Sequence, residues 1–221
     1  LRIIRVWFEK KGDAAYISHL DLQRVMHRAL AKAQLPAWYS LGFNPHIYLT
    51  FPLPLPLGQE SCCEAVDFKT EDDALAFDTV QSKLNAVLPA GIRVLRVTAP
   101  VLEAKDITAA RYDIRLPALQ GKTARALEKY NSTDHAFVTK MGKQNGRKTQ
   151  KQSDLKDSVS CLTWQQEGET LLLQLQLPAG STVNVNPGLL ISYLQTENGI
   201  ALGSADICRT AILAVGDREF A

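Results

Sequence analysis

The sequence predicts an α+β fold of two tandem βαββαβ units with antiparallel sheets. Three observations carry that expectation. Short segments of alternating apolar and polar residues interleave with segments of three- and four-residue apolar spacing. The order of strand and helix signals in the first half returns, less sharply, in the second. A chain of 221 residues is also long enough to bury two small cores.

The elements follow in order. "LRIIRVWFEK" alternates as a strand, with Ile4, Val6 and Phe8 on one face and Arg5 and Trp7 on the other. After the turn "KKGDAAY", Ser18 is a natural N-cap with Asp21 three residues on, so a helix begins at about His19. Its apolar stripe is Leu22, Val25, Met26, Ala29, Leu30 and Ala33, which leaves Asp21, Arg24, Arg28 and Lys32 on the other side. Leu35–Pro36 ends it. Gly42, Asn44 and Pro45 then punctuate a turn, and Pro52, Pro54 and Pro56 forbid regular helix, which predicts an edge strand or a polyproline-like lining. "CCEAVDF" reads as a strand, "TEDDALAFDTVQSKLNAVLP" as a second helix capped by Thr70, and "GIRVLRVTAPV" as a closing strand. This is the order of a ferredoxin-like unit.

In the second half "ARYDIRLP" is a strand, "LQGKTARALEKYNST" a helix, "AFVTKMG" a strand and "ETLLLQLQL" another after the turn at Glu167–Gly168. "NVNPGLLISYLQT" offers Asn186 as N-cap and Pro187 as first helical residue, and "ADICRTAILAV" closes the unit. The link falls near Leu102 to Thr108, giving units of 1–104 and 105–221.

With 46% hydrophobic and 22% charged residues, the composition is that of a soluble globular protein. No apolar run approaches the roughly 18 residues of a membrane span, and the start lacks the layout of a signal peptide, so a cytoplasmic protein without membrane association is expected. The first residue is Leu1, which leaves room for a preceding domain. Cys62, Cys63, Cys161 and Cys208 show no metal-ligand spacing, and an adjacent Cys62–Cys63 pair in a regular strand would face opposite sides. Neither metal nor cofactor is expected. Net charge is +2, yet residues 140–156 hold six cations against Asp154 alone, a local charge of +5. Lys143, Arg147, Lys148 and Lys151 of that exposed loop or hairpin are candidate nucleic-acid contacts; a solvated loop with no partner is the alternative.

Two further clusters are candidate ligand sites. Ser18, His19 and Asp21 occupy the first turn of the first helix, where unpaired N–H groups favour an anion, and Arg24 and Arg28 extend the charge. Equally, Asp21 can pair with Arg24 and leave the turn neutral. In the loop "YSLGFNPH", Gly42 and Asn44–Pro45 build a tight turn that positions Tyr39, Ser40, Phe43 and Asn44. Tyr39, Phe43 and Tyr48 are either stacking surfaces for a base or core. An enzymatic reading makes His19 a general acid or base for RNA cleavage, with Tyr16, Arg24 or His46 beside it. Asp72–Asp73 is explained by a helix N-terminus, and no Ser-His-Asp, P-loop or GxGxxG motif is present.

The run Tyr16 to Phe68, "YISHLDLQRVMHRALAKAQLPAWYSLGFNPHIYLTFPLPLPLGQESCCEAVDF", resembles the radical-SAM-linked protein family through SHLDLxR, YSxGFNP and PLPLGxxS. It departs from the pattern at His46 and Thr50. The resemblance implies a tandem ferredoxin-like domain working beside radical-SAM chemistry, on RNA or the ribosome, with the radical-SAM enzyme a separate chain or a missing fused domain. The fold is also similar to that of RAMP-type CRISPR RNA-processing proteins, by analogy alone. The expected function is therefore an accessory module that binds RNA or a nucleotide-like substrate. The rivals are a metal-independent ribonuclease using His19 and an adaptor that docks the radical-SAM enzyme through Pro52 to Pro56.

Overall fold

The computed structural model describes residues 1–144, 147–203 and 205–220, with side chains outside 140–151. The chain is α+β, with four α-helices among the described residues and mostly antiparallel strand pairing. It divides into two compact units, Leu1–Ala109 with Cys208–Ala221, and Ala110–Ile207.

The first unit runs β1 (Arg2–Lys10), α1 (His19–Lys32), β2 (Leu49–Thr50), β3 (Glu60–Thr70), α2 (Phe77–Asn85) and β4 (Ile92–Thr98). β1 lies between β4 and β3, antiparallel to both, and β2 pairs with β3 at Leu49–Phe68 and Thr50–Asp67. The expected alternation of β1 holds: Ile4, Val6 and Phe8 enter a core with Leu22, Met26 and Leu30 of α1. Ser18 caps α1, its hydroxyl accepting from the Asp21 N–H.

The opposite face of β1 is buried as well, because the chain end returns over it. Arg5 forms a bidentate pair with Asp67 at 2.7 and 2.8 Å, the Phe220 ring lies 4.5 Å from its guanidinium carbon, and Trp7 meets Phe220 edge-on. Thr70 does not cap the second helix. It ends β3, donating to the Pro36 carbonyl at 2.6 Å and accepting from the Asp72 N–H, and α2 starts at Phe77 without a side-chain cap. The acidic run is spent on the turn, where Asp72 accepts from the Ala74 N–H.

β5 (Ile107–Pro117) leads into the second unit, followed by α3 (Lys122–Ser132), β6 (Phe137–Gln144), β7 (Arg147–Asp154), β8 (Trp164–Glu167), β9 (Thr170–Pro178) and α4 (Gly188–Asn198). β9 lies between β5 and β8, with the β8–β9 turn at Gly168 in the left-handed region. The "AFVTKMG" segment does not join this sheet; β6 pairs with β7 in a separate two-stranded ribbon. The polar sequence of both strands offers little apolar alternation with which to bury a face. Pro187 has helical dihedrals and the Asn186 carboxamide accepts from the Gly188 N–H, so the expected cap forms at α4.

β10 (Asp206–Ala214) brings the chain back to the first unit. It runs parallel to β3 at Cys208–Glu60 and Arg209–Ser61, and β11 (Arg218–Glu219) folds back on it. No helix among the described residues is long and apolar enough to cross a membrane.

Candidate functional site

At the start of α1 the pairing alternative is realised. Asp21 accepts from the Ser18 hydroxyl at 2.7 Å and from Arg24 at 2.7 Å, contacts that hold its carboxyl below the usual carboxylate range. The carboxylate therefore offsets the charge of Arg24 at this turn. His19 packs edge-on against Phe51 with centroids 5.0 Å apart and its Nε2 lies 3.2 Å from the Gln23 amide. Arg28, one turn beyond Arg24, is exposed.

The loop after α1 is a tight polar turn with an apolar tip. Tyr39 bridges to Ile47, the Ser40 N–H donates to the His46 carbonyl, and His46 Nδ1 lies 3.0 Å from the Ser40 hydroxyl and 3.1 Å from the Asn44 carbonyl. Gly42 has φ +129° with open space around it, a conformation that side chains rarely adopt. Leu41 and Phe43 are fully exposed at the tip, and Tyr39 and Tyr48 about half exposed. His27 of α1 is pushed below its usual value, first by burial and second by the nearby His46. The two histidines are therefore near enough for their charges to act on each other.

Beneath the proline run lies a buried charge cluster that sequence patterning missed. Arg209, fully buried, donates to Glu64 at 2.9 Å, to the Leu53 carbonyl at 2.8 Å and to the Pro54 carbonyl at 3.2 Å. Lys10 donates to the Ala15 and Ile17 carbonyls; burial lowers its pKa and the charge of Glu64 opposes the shift. The run is thus a strap, with Leu53 and Leu55 inside and its backbone pinned.

In the second unit the described residues enclose a cleft of about 1160 Å³. Lys122, Arg125 and Lys129 line it from one face of α3, at i, i+3 and i+7. Leu119 and Gln120, also lining it, are held at φ 48° and 56°. Glu169 is its acid. The cation spacing was readable in "KTARALEK", but only the strand order behind it reveals a concavity.

A family model described as an uncharacterized protein conserved in bacteria (DUF2344) matches residues 3–187. The chain belongs to the DUF2344 family. No curated protein matches it. In this DUF2344 chain, α1 and the following turn bring together His27, Ser40 and His46, while Ser18, Asp21 and Arg24 form their own set. Phe43 and Asn44 stand at the turn's exposed edge. The candidate cations Lys143, Arg147, Lys148 and Lys151 fall in the β6–β7 ribbon, where Lys143 is the register partner of Lys148; their side chains lie outside the described residues. Among the described residues no group of three or more His, Cys, Asp or Glu side chains is arranged to hold a metal ion.

Proposed function

We propose that the chain is a binding module for RNA or a nucleotide-like substrate, accessory to a radical-SAM enzyme. The observation that carries the RNA reading is the cleft lined by Lys122, Arg125 and Lys129, a concave basic surface suited to a phosphate backbone. The exposed Phe43, Tyr39 and Tyr48 of the first unit supply planar surfaces on which unpaired bases stack. The radical-SAM association rests on the resemblance of residues 16–68. In this reading the chain carries two ferredoxin-like element orders, β1-α1-β2-β3-α2-β4 and then β5-α3-β8-β9-α4 with the β6–β7 ribbon inserted, and β10, which closes the second order in sequence, belongs to the first compact unit. His19 serves the packing of the helix start.

The test is binding of the purified protein to total cellular RNA across a salt series. Replacing Lys122, Arg125 and Lys129 by Ala should weaken binding and reduce the slope of log K against log salt by about 2, at roughly 0.7 per lost single-strand phosphate contact. Phe43→Ala should weaken binding with the slope unchanged. Equal slopes for the triple variant and the wild type would remove the cleft from the reading.

A second reading, an adaptor that docks a protein, is favoured by Tyr16, Leu20, Leu41 and Leu57, all large, apolar and exposed. It shifts the docking surface away from Pro52–Pro56, whose leucines are buried. Loss of co-purification of a radical-SAM enzyme in Leu41→Asp, with RNA binding intact, would favour it.

A further inference from the structure

Three of the four thiols meet where β3 adjoins β10. Phe8 pairs with Glu64 and Lys10 with Ser61, so Cys62 and Cys63 together oppose Glu9 alone. This is a β-bulge, and it cancels the alternation that would send adjacent residues to opposite faces. Both sulfurs lie 3.6 Å from the Arg209 carbonyl, and both line a cavity of about 320 Å³ with Trp7, Arg96 and Thr210. On β10, Cys208 pairs in register with Glu60, two residues from Cys62, and its thiol lies 3.8 Å from the same Arg209 carbonyl.

The three thiols are not equivalent. The neighbouring Cys63 thiol, together with Lys11 and Cys208, outweighs burial and draws the Cys62 thiol down to about 6. When protonated, the Cys62 thiol donates to the Arg209 and Thr210 carbonyls at 3.6 and 3.7 Å. Cys63 is pushed well up, by its bond to Cys62 and then by burial, and stays an S–H donor. Cys161 is exposed and lies in the second unit.

We propose that Cys62 and Cys208 form a redox-active dithiol, in which Cys62 attacks a low-molecular-weight disulfide and Cys208 resolves the adduct. The Cys62 thiolate displaces one thiolate from the disulfide and becomes a mixed disulfide. Cys208 then loses its proton to solvent base, attacks the Cys62 sulfur and expels the second thiolate. The two cysteines are oxidised by two electrons, and the small disulfide is reduced to two thiols once protonated. Cys63 is the poorer resolver, because it remains protonated and a bond between chain neighbours would distort the intervening peptide. The product joins β3 to β10 one residue from Arg209, whose guanidinium holds the proline strap.

The experiment treats the folded wild-type protein with glutathione disulfide, blocks residual thiols with an alkylating agent and maps peptides by mass spectrometry without reduction. The expected product is a Cys62–Cys208 linked peptide, with Cys161 alkylated. In Cys208→Ser the linked peptide is lost and a glutathione adduct persists on Cys62. Reaction at Cys161 alone, or a wild-type adduct at Cys62 that never resolves, would overturn the proposal. The wild-type map decides the matter even where the variant does not fold.

Discussion

A buried arginine is costly unless it is paired, and Arg209 uses its two terminal nitrogens to tie the returning strand to Glu64 and to the strap. Replacing Arg209 by Met leaves Glu64 buried with the charge of Lys10 nearby as its remaining compensation. The expected loss is about 3 kcal/mol in urea-induced unfolding, the low end of the range for a broken buried pair. Adding Glu64→Gln should cost less than the sum of the two single changes, because the carboxylate is no longer stranded. A loss below about 1 kcal/mol for Arg209→Met would show that solvent reaches the pair. At this scale the sequence is legible where a residue acts on its neighbours in the chain. Ser18 three residues before Asp21, or Asn186 two before Gly188, needs no tertiary information. Arg209 looks like an ordinary polar position of an alternating strand, and its partners lie about 145 and 155 residues away.

Between residue and fold, the turn after α1 depends on one backbone conformation. With φ +129° and nothing within 4 Å, Gly42 is kept for its dihedral rather than for space. Gly42→Ala should therefore cost about 1–2 kcal/mol of local strain, borne by the turn. The expected outcome is weakened ligand binding with the core intact: amide exchange should accelerate for Ser40 and His46 and stay unchanged in β1 and α1. Exchange that speeds up throughout the first unit would mean that the turn is part of its folding core. The elements themselves were legible from periodicity, since β1 and α1 bury the residues that their patterns assign. Two departures share a cause. Thr70 resembles a cap and the Cys62–Cys63 pair resembles regular strand, yet a turn at Asp72 and a bulge opposite Glu9 intervene, and both are set by cross-strand register rather than by local sequence. The cleft was half legible, as three cations on one helical face without the walls that make them a site.

For the whole molecule, the consequential fact is that the first compact unit is not a continuous stretch of chain. Residues 1–109 contain its helices and most of its sheet, but Cys208–Ala221 bring β10, Arg209 and Phe220. A fragment that stops at residue 109 keeps Lys10 and Glu64 and loses the arginine that compensates Glu64. It also uncovers Trp7 and the Arg5–Asp67 pair, on which Phe220 lies. Neither deficit is small beside the roughly 5–15 kcal/mol by which domains are stable. The fragment 1–109 should therefore lack a cooperative thermal transition and bind a hydrophobic dye, whereas a chain in which residues 206–220 follow 109 through a flexible linker should recover the transition. Deleting only residues 216–221 tests the finer point, because it removes Phe220 and spares Arg209. That variant should fold with a lowered melting temperature and an increase in Trp7 solvent exposure measurable by fluorescence quenching. A fully cooperative fragment 1–109 would instead show that β10 is an addition to a unit already complete without it.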